Sequence, residues 1–114
     1  MNEEVLMMFA TAGNQLVTNI FKALAHPTRI QIMKLLKNGP LCVCDIIDSL
    51  QSEQSNTSQH LNVLKSAGLV ESKKEGLNVI YNTRSQEIYS VIDTVESILL
   101  EQAEKTKLLL KNAI

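Results

Sequence analysis

The apolar residues in the first half of the chain recur at helical spacing. From Val5 to Leu24 they lie three or four positions apart, which predicts one long N-terminal helix. A second helix is predicted in LAHPTRIQIMKLLKNGP, because Pro27 suits a first helical turn and the closing Gly-Pro ends the helix. CDIIDSL then predicts a short third helix, QSEQSN a polar connection, and TSQHLNVLKSAGLV a fourth helix that Gly68 terminates in a left-handed conformation.

After Gly68 the hydrophobic period changes from helical to alternating. LVESKK and LNVIYN predict two strands joined around Glu75-Gly76, and the helical period returns from Ser85 onward. A short helix, a tight polar connection and a helix with a polar outer face form a helix-turn-helix, and a following hairpin makes it a winged helix. We expect a fold that is mainly α with a small β-hairpin, in which the apolar terminal helices serve dimerisation, since one short domain has too little core to bury both stripes. The expected parts of the single domain, residues 1–114, are the helix-turn-helix at 42–67, the wing at 69–84 and the dimerisation helices at 1–25 and 86–114.

Composition and charge narrow the class of protein. Aromatic residues make up 4 % of the 114 residues and tryptophan is absent, which is typical of helices packed through aliphatic side chains. No apolar run is long enough to cross a bilayer, and the acidic start MNEEVLMMF lacks the positive charge of a secretory signal. We therefore expect a cytoplasmic protein with no membrane partner. The net charge is −1, but residues 54–84 carry a net +2, which places the basic surface on the predicted fourth helix and wing.

Both cysteines of the chain, Cys42 and Cys44, lie in the stretch LCVCD. In a regular helix, side chains two positions apart point in nearly opposite directions and could not hold one metal ion. Cys42, however, occupies the expected N-cap, because Cys-x-x-Asp imitates a Ser-x-x-Glu capping box with Asp45 at the third helical position. The helix N-terminus also stabilises a thiolate. The pair is a candidate clamp for a soft metal or metalloid, and two small buried hydrophobic residues are the alternative.

The front of the predicted fourth helix is rich in short polar side chains. Such groups suit phosphate oxygens and base edges in a major groove, and lysines on the helix and wing suit the phosphate backbone. The alternative is an ordinary solvated helix cap with surface lysines. His26, which precedes Pro27, is expected to cap or pack at the start of the second helix. The candidate DNA-binding residues from this pattern are Gln54, Ser55, Asn56, Ser58, Gln59, Lys65, Lys73 and Lys74.

Four segments in one order resemble the ArsR/SmtB family of metal-responsive transcriptional repressors, over roughly residues 20–100. ALAHPTRIQIMKLL resembles the family's opening helix, LCVCD the metal-binding motif of its arsenic- and cadmium-sensing branches, TSQHLNVLKSAGLV its recognition helix and KKEGLNVIY its wing. The resemblance implies a homodimer that binds an inverted-repeat operator in double-stranded DNA, with His60 as a further DNA contact. It also implies that the protein leaves the operator when an effector binds Cys42 and Cys44. The implied effector is As(III) or Sb(III), with Cd(II), Pb(II) and Bi(III) as alternatives and no organic cofactor.

The chain departs from the family pattern in its further metal ligands. Arsenic sensors with this motif often have a third cysteine three residues after the second, where this chain has Ile47. Cadmium sensors add cysteines from an N-terminal arm, and this arm has none. The zinc-sensing pairs on the last helix correspond here to Ser85, Glu87, Ile98 and Glu101, so that site is absent.

Two alternatives use the same cysteines differently. A thiol–disulfide switch would keep the DNA binding, although the spacing of two residues is expected to disfavour an intramolecular disulfide. A small redox enzyme would use the pair as its reactive centre. The sequence contains no thioredoxin-like βαβ pattern, Gly-rich phosphate loop or Ser/His/Asp set, so we expect that the protein is not an enzyme.

Overall fold

The fold is mainly helical, with a small antiparallel sheet, in the predicted winged helix-turn-helix order. The computed structural model describes residues 2–51 and 54–113, with the backbone alone at positions 54 and 55. The elements are α1 Glu3–Leu24, α2 Pro27–Leu36, β1 Leu41–Cys42, α3 Val43–Leu50, α4 Gln54–Ser66, β2 Val70–Glu75, β3 Asn78–Thr83 and α5 Ile88–Ala113. We call α4 the recognition helix, and β2, β3 and the turn between them the wing.

The sheet has three strands, whereas the sequence predicted a two-stranded hairpin. β1 is two residues long and pairs antiparallel with β3, with Leu41 opposite Tyr81 and Cys42 opposite Ile80. β3 pairs in turn with β2, which gives the strand order β1-β3-β2. Two residues are too few to show an alternating pattern, so β1 could not be predicted from the sequence. Its position joins the first cysteine to the wing through backbone hydrogen bonds.

Two helix boundaries also differ from the prediction. α4 begins at Gln54, three residues before the predicted start, so part of the expected polar connection is helical. The first turn of this helix is made of polar residues and lacks the apolar period from which helices are predicted. α5 begins at Ile88 rather than at Ser85, whose carbonyl accepts a hydrogen bond from the Ile88 amide across a tight turn. The left-handed conformation of Gly68, with φ of 78°, is confirmed.

The core lies between α2, α3, α4 and the sheet. Its side chains are mainly aliphatic, as the composition predicted, and Tyr81 and Tyr89 are its aromatic members among the described residues. The residues with almost no exposed surface are Ile32, Met33, Leu36, Ile46, Thr57, Leu61, Leu64 and Val70. Ile88, Tyr89 and Ile92 attach the first turns of α5 to this core.

Tyr89 fastens α5 to the rest of the domain by hydrogen bonds. Its buried hydroxyl donates to the carbonyl oxygen of Met33 at 2.7 Å and lies 2.7 Å from the hydroxyl of Thr83. The Thr83 hydroxyl lies 3.4 Å from the carbonyl oxygen of Leu36. Burial raises the pKa of the Tyr89 phenol, which keeps it a neutral donor. The contact joins α5 to both α2 and β3.

We expect Tyr89→Phe to lower the free energy of unfolding by about 1–3 kcal/mol, because the buried Met33 carbonyl loses its side-chain donor. The measurement is urea unfolding at one fixed protein concentration. Tyr81→Phe is the matched control, since the buried Tyr81 ring has no hydroxyl hydrogen bond among the described residues. Equal losses in the two variants would contradict the proposed role of the hydroxyl.

The terminal helices expose most of their apolar side chains. The radius of gyration is 18.0 Å, whereas a compact domain of this length would have about 13 Å. An apolar groove of about 480 Å³ lies where Phe21 and Leu24 of α1 face Val91, Val95 and Leu99 of α5. None of the described helices combines the length and apolar character needed to cross a bilayer. The exposed large apolar side chains include Leu6, Met7, Met8, Phe9, Val17 and Phe21 on α1 and Val95, Ile98, Leu99, Leu100, Leu108, Leu109 and Leu110 on α5.

Candidate metal centre and nucleic-acid interface

Cys42 is the N-cap of α3, as the sequence predicted. β1 runs directly into α3, and Cys42 keeps an extended conformation with φ of −72° and ψ of 155°. Its sulfur accepts a hydrogen bond from the backbone amide of Asp45 at 3.2 Å. In the reduced protein, a cysteine sulfur at this position would be stabilised as a thiolate by the helix N-terminal amide. The same hydrogen bond therefore caps α3 and favours the thiolate form of a reduced Cys42.

The extended N-cap brings the two sulfur atoms together. Cys42 and Cys44 form a disulfide, and their Cα atoms lie 5.3 Å apart, within the usual range for such a bond. The expectation that the two-residue spacing disfavours a disulfide is therefore wrong, because only Cys44 has helical backbone angles. An oxygen of the Asp45 carboxylate and the two sulfurs all lie within 4.8 Å of one another. When reduced, the pair fits a soft ion as a two-sulfur clamp with one carboxylate nearby.

The cysteine pair opens onto a cavity of about 480 Å³ between α3, the recognition helix and the wing. Cys42 is partly buried and Cys44 is exposed, so a small ligand reaches both sulfurs. Besides the two cysteines, residues that line the cavity include Ile47 of α3, Ser58 and Asn62 of the recognition helix, and Leu77 and Val79 of the wing.

The recognition helix presents a polar outer side. Thr57, Leu61 and Leu64 are buried, whereas Asn56 and Gln59 are exposed and Ser58 is partly exposed. The side chains of Gln54 and Ser55 lie outside the described residues. The exposed polar side is the one predicted to meet DNA.

His60 does not project freely from the recognition helix. Its ring lies 4.3 Å from the ring of His26, and its Nδ1 accepts a hydrogen bond from Nε of Arg29 at 3.1 Å. Burial lowers the pKa of His60, and the charges of His26 and Arg29 lower it further. His26 is the N-cap of α2, where its Nδ1 accepts from the amide of Thr28 at 3.1 Å, which confirms the expected capping role.

The candidate lysines occupy different environments. Lys65 at the end of the recognition helix donates to the hydroxyl of Ser72 at 2.7 Å, which ties the helix to the wing. Lys73 forms an exposed ion pair with Glu75 at 3.0 Å. Lys73 and Lys74 are successive in β2, so their side chains point to opposite faces of the wing. The structure thus brings Lys65 and the wing together and separates the two wing lysines.

Comparison with known proteins identifies the family. The sequence profile described as "Bacterial regulatory protein, arsR family" matches residues 26–72. A cadmium resistance transcriptional regulatory protein CadC homolog of Staphylococcus aureus is 36 % identical over 89 residues, which are 77 % of this chain and 71 % of that protein. The chain belongs to the ArsR family. An uncharacterized HTH-type transcriptional regulator of Methanocaldococcus jannaschii is 49 % identical over 78 residues, 65 % of this chain and 88 % of that protein.

Solved structures of similar proteins share the fold. A winged helix-turn-helix DNA-binding domain of Mycobacterium bovis, described as homodimeric and as a possible ArsR-family regulator, has a TM-score of 0.74 and 30 % identity and covers 85 % of this chain and 90 % of its own. A Mycobacterium tuberculosis crystal structure has a TM-score of 0.73 and 31 % identity, with 81 % and 93 % covered. As an ArsR-family protein, the chain is a transcriptional regulator and not an enzyme.

Proposed function

We propose that this ArsR-family regulator binds an inverted-repeat operator as a homodimer and leaves it when As(III) or Sb(III) binds Cys42 and Cys44. Cd(II), Pb(II) and Bi(III) are the alternative effectors. The observation that carries the proposal is the meeting of the two sulfurs at the start of α3, beside the recognition helix and the wing. Its proposed site of action is the cytoplasm.

The backbone around the cysteine pair provides the route to the DNA surface. Cys42 pairs with Ile80 of β3, and Ile80 pairs with Lys73 of β2, so the first cysteine and the wing share one sheet. Cys44 lies in the first turn of α3, which packs against the recognition helix. An effector shifts the DNA-binding equilibrium only by its different affinity for the two states. Clamping both sulfurs in a geometry that the DNA-bound first turn cannot adopt would supply that difference.

As(III) or Sb(III) at the cysteine pair would need a third ligand. Trivalent arsenic and antimony favour three ligands, and the chain provides two sulfurs. A trivalent metalloid bound to both sulfurs would join Cys42 to Cys44. The Asp45 carboxylate lies close enough to be the third donor, and the adjoining cavity leaves room for a hydroxide or a small exogenous thiol.

The dimer is proposed from the exposed apolar faces of α1 and α5. These faces would be covered if the terminal helices of two copies packed together, and a relative of the same fold is described as homodimeric. A two-fold dimer presents two recognition helices, which matches an inverted-repeat operator. The proposed DNA surface consists of Gln54, Ser55, Asn56, Ser58, Gln59, His60, Lys65, Lys73 and Lys74.

For the wing, we expect Lys74→Ala to weaken binding to all duplexes alike and to lower the salt dependence by about one phosphate contact. Lys73→Ala is expected to have the smaller effect, because the Lys73 ammonium already pairs with Glu75. Lys105→Ala, far along α5, is the matched control for loss of one positive charge. The measurement is operator affinity at several salt concentrations. If the Lys73/Lys74 double variant shows the parental dependence of operator affinity on salt concentration, the wing does not contact the phosphate backbone.

A parallel titration tests the effector. The operator complex is followed by fluorescence anisotropy while As(III), Sb(III), Cd(II) or Zn(II) is added under reducing conditions. We expect release by As(III) or Sb(III) at the lowest concentration and none by Zn(II). Release by Cd(II) alone would reassign the effector, and no release by any of these ions would contradict metalloregulation at this site.

The Cys42–Cys44 disulfide favours a second candidate, a thiol–disulfide switch on the same DNA-binding domain. In that case a thiol oxidant releases the protein from DNA, and metalloid under reductant does not. The same anisotropy assay separates the two candidates, because it needs only an added arm with oxidant and no metal ion.

A further inference from the structure

Arg29 of α2 connects this helix to α1 and to the recognition helix through hydrogen bonds from Nε and Nη1 of its guanidinium. Its Nε donates to Nδ1 of His60 on the recognition helix at 3.1 Å. Its Nη1 donates to the carbonyl oxygens of Lys22 and Ala23, at 3.1 and 3.4 Å. Arg29 itself lies in the first turn of α2, so one side chain joins the end of α1 to the recognition helix.

The guanidinium of Arg29 lies at the C-terminal end of α1, where a positive charge is favoured. The last carbonyls of a helix have no helical donors, and the helix dipole makes this end negative. Arg29 supplies donors to two of these carbonyls, and the backbone amide of Ala25 supplies another to Lys22. A guanidinium holds several donors in one plane, so it can bond α1 and His60 together, whereas a lysine ammonium acts as a single point charge.

We propose that Arg29 is a positioning residue for operator recognition, which fixes the recognition helix against the end of the dimerisation helix α1. The proposal rests on the operator binding proposed above. In a two-fold dimer, the spacing of the two recognition helices depends on how each is held against its own dimerisation helix. The bridge from α1 through Arg29 to His60 is one such connection, and Arg29 itself need not touch DNA to make it.

The bridge requires His60 to be neutral. Nδ1 accepts the hydrogen bond only while it carries no proton, and protonation would place a second positive charge beside Arg29. The groups that face His60 are His26 and Arg29 of α2, while α1 contributes the carbonyl ends that hold Arg29. Both side chains of α2 disfavour a charged His60, and burial acts in the same direction.

Two substitutions separate geometry from charge. Arg29→Lys keeps the positive charge but not the planar fork, and Arg29→Met removes both. We expect each to weaken operator binding by about tenfold to a hundredfold. This is the effect of losing one base-edge contact, which a displaced recognition helix would lose. The salt slope and the dimer dissociation constant should stay at parental values. Parental affinity in Arg29→Lys, or a salt slope lowered by about one in Arg29→Met, would overturn the proposal, because either result assigns Arg29 a charge-only role on phosphate.

The pH profile of the unmodified protein provides a test that depends on no variant folding. We expect operator affinity to stay constant around neutral pH, because the lowered pKa keeps His60 neutral there, and to fall on acidification as His60 takes up a proton. His60→Gln keeps a hydrogen-bond acceptor that does not titrate, so its affinity should lose this pH dependence. Affinity that rises on acidification would overturn the proposal, because it would show a protonated His60 contacting phosphate.

A measurement without DNA distinguishes failure of this inference from failure of the proposed function. Nitrogen-15 NMR of the His60 ring should show an unprotonated, hydrogen-bonded Nδ1 in the parent and a changed Nδ1 shift in Arg29→Met. Such spectra with no duplex bound by the parent would contradict the proposed function and the operator role of Arg29, yet leave the bridge itself in place. Operator binding by the parent together with an unchanged His60 spectrum in Arg29→Met would overturn only the bridge.

Discussion

The double substitution Val95→Asp and Ile98→Asp is expected to convert the dimer to monomers and to abolish binding to the inverted-repeat operator. Both side chains are about half exposed on the apolar side of α5, and Val95 lines the groove against α1. Two carboxylates in a packed helical interface would lose their hydration without gaining partners. A monomer presents a single recognition helix and loses the contribution of the second half-site.

Sedimentation velocity measures the first effect and anisotropy with the operator the second. Ser90→Asp and Ser97→Asp provide the matched control, because they add the same charge to exposed polar positions of α5 that do not line the groove against α1. The control should remain dimeric and bind the operator. A Val95/Ile98 variant that stays dimeric would place the interface elsewhere.

The second large effect is expected from replacing either sulfur. Cys42→Ser should keep the N-cap, because a serine hydroxyl can accept from the Asp45 amide as the sulfur does. Cys44→Ser changes an exposed side chain with little effect on packing. Each variant should therefore fold, dimerise and bind the operator like the parent, within about 1 kcal/mol of its stability. Neither should release the operator when As(III) or Sb(III) is added under reductant.

Asp45→Asn is the matched control for the third donor, since it removes the carboxylate charge and keeps the side-chain shape. If the carboxylate contributes, release should need more effector but should still occur. A serine variant that releases the operator at the parental metalloid concentration would contradict the two-sulfur site. Loss of operator binding in both serine variants before any metalloid is added would instead support the packing alternative for the cysteines.

The features predicted correctly from the sequence depend on local interactions. The N-cap at Cys42 was predictable because a capping box involves residues three positions apart, and the left-handed Gly68 follows from the end of one helix. The apolar stripes of α1 and α5 span many turns, which makes helical periodicity clear. These local signals are sufficient for the order of the elements and for the place of the cysteine pair.

The features missed depend on contacts between distant residues. β1 exists because two residues pair with a strand almost forty positions later, and no local pattern marks it. Arg29 was not among the candidate residues, since His60 lies 31 positions away and an arginine in a first helical turn is unremarkable. The disulfide was misjudged for a related reason: the regular-helix rule applies to Cys44, whereas β1 holds Cys42 in an extended conformation.

The most direct test of the central claim is arsenic X-ray absorption of the reduced protein loaded with one equivalent of As(III) per protomer. A phosphine should be the reductant, so that the two cysteines of each chain are the only thiols present. The account predicts two sulfur neighbours and one oxygen neighbour for each arsenic in the parent, and one sulfur neighbour or none in Cys42→Ser. An arsenic shell made of oxygen alone in the parent would contradict the cysteine pair as the effector site.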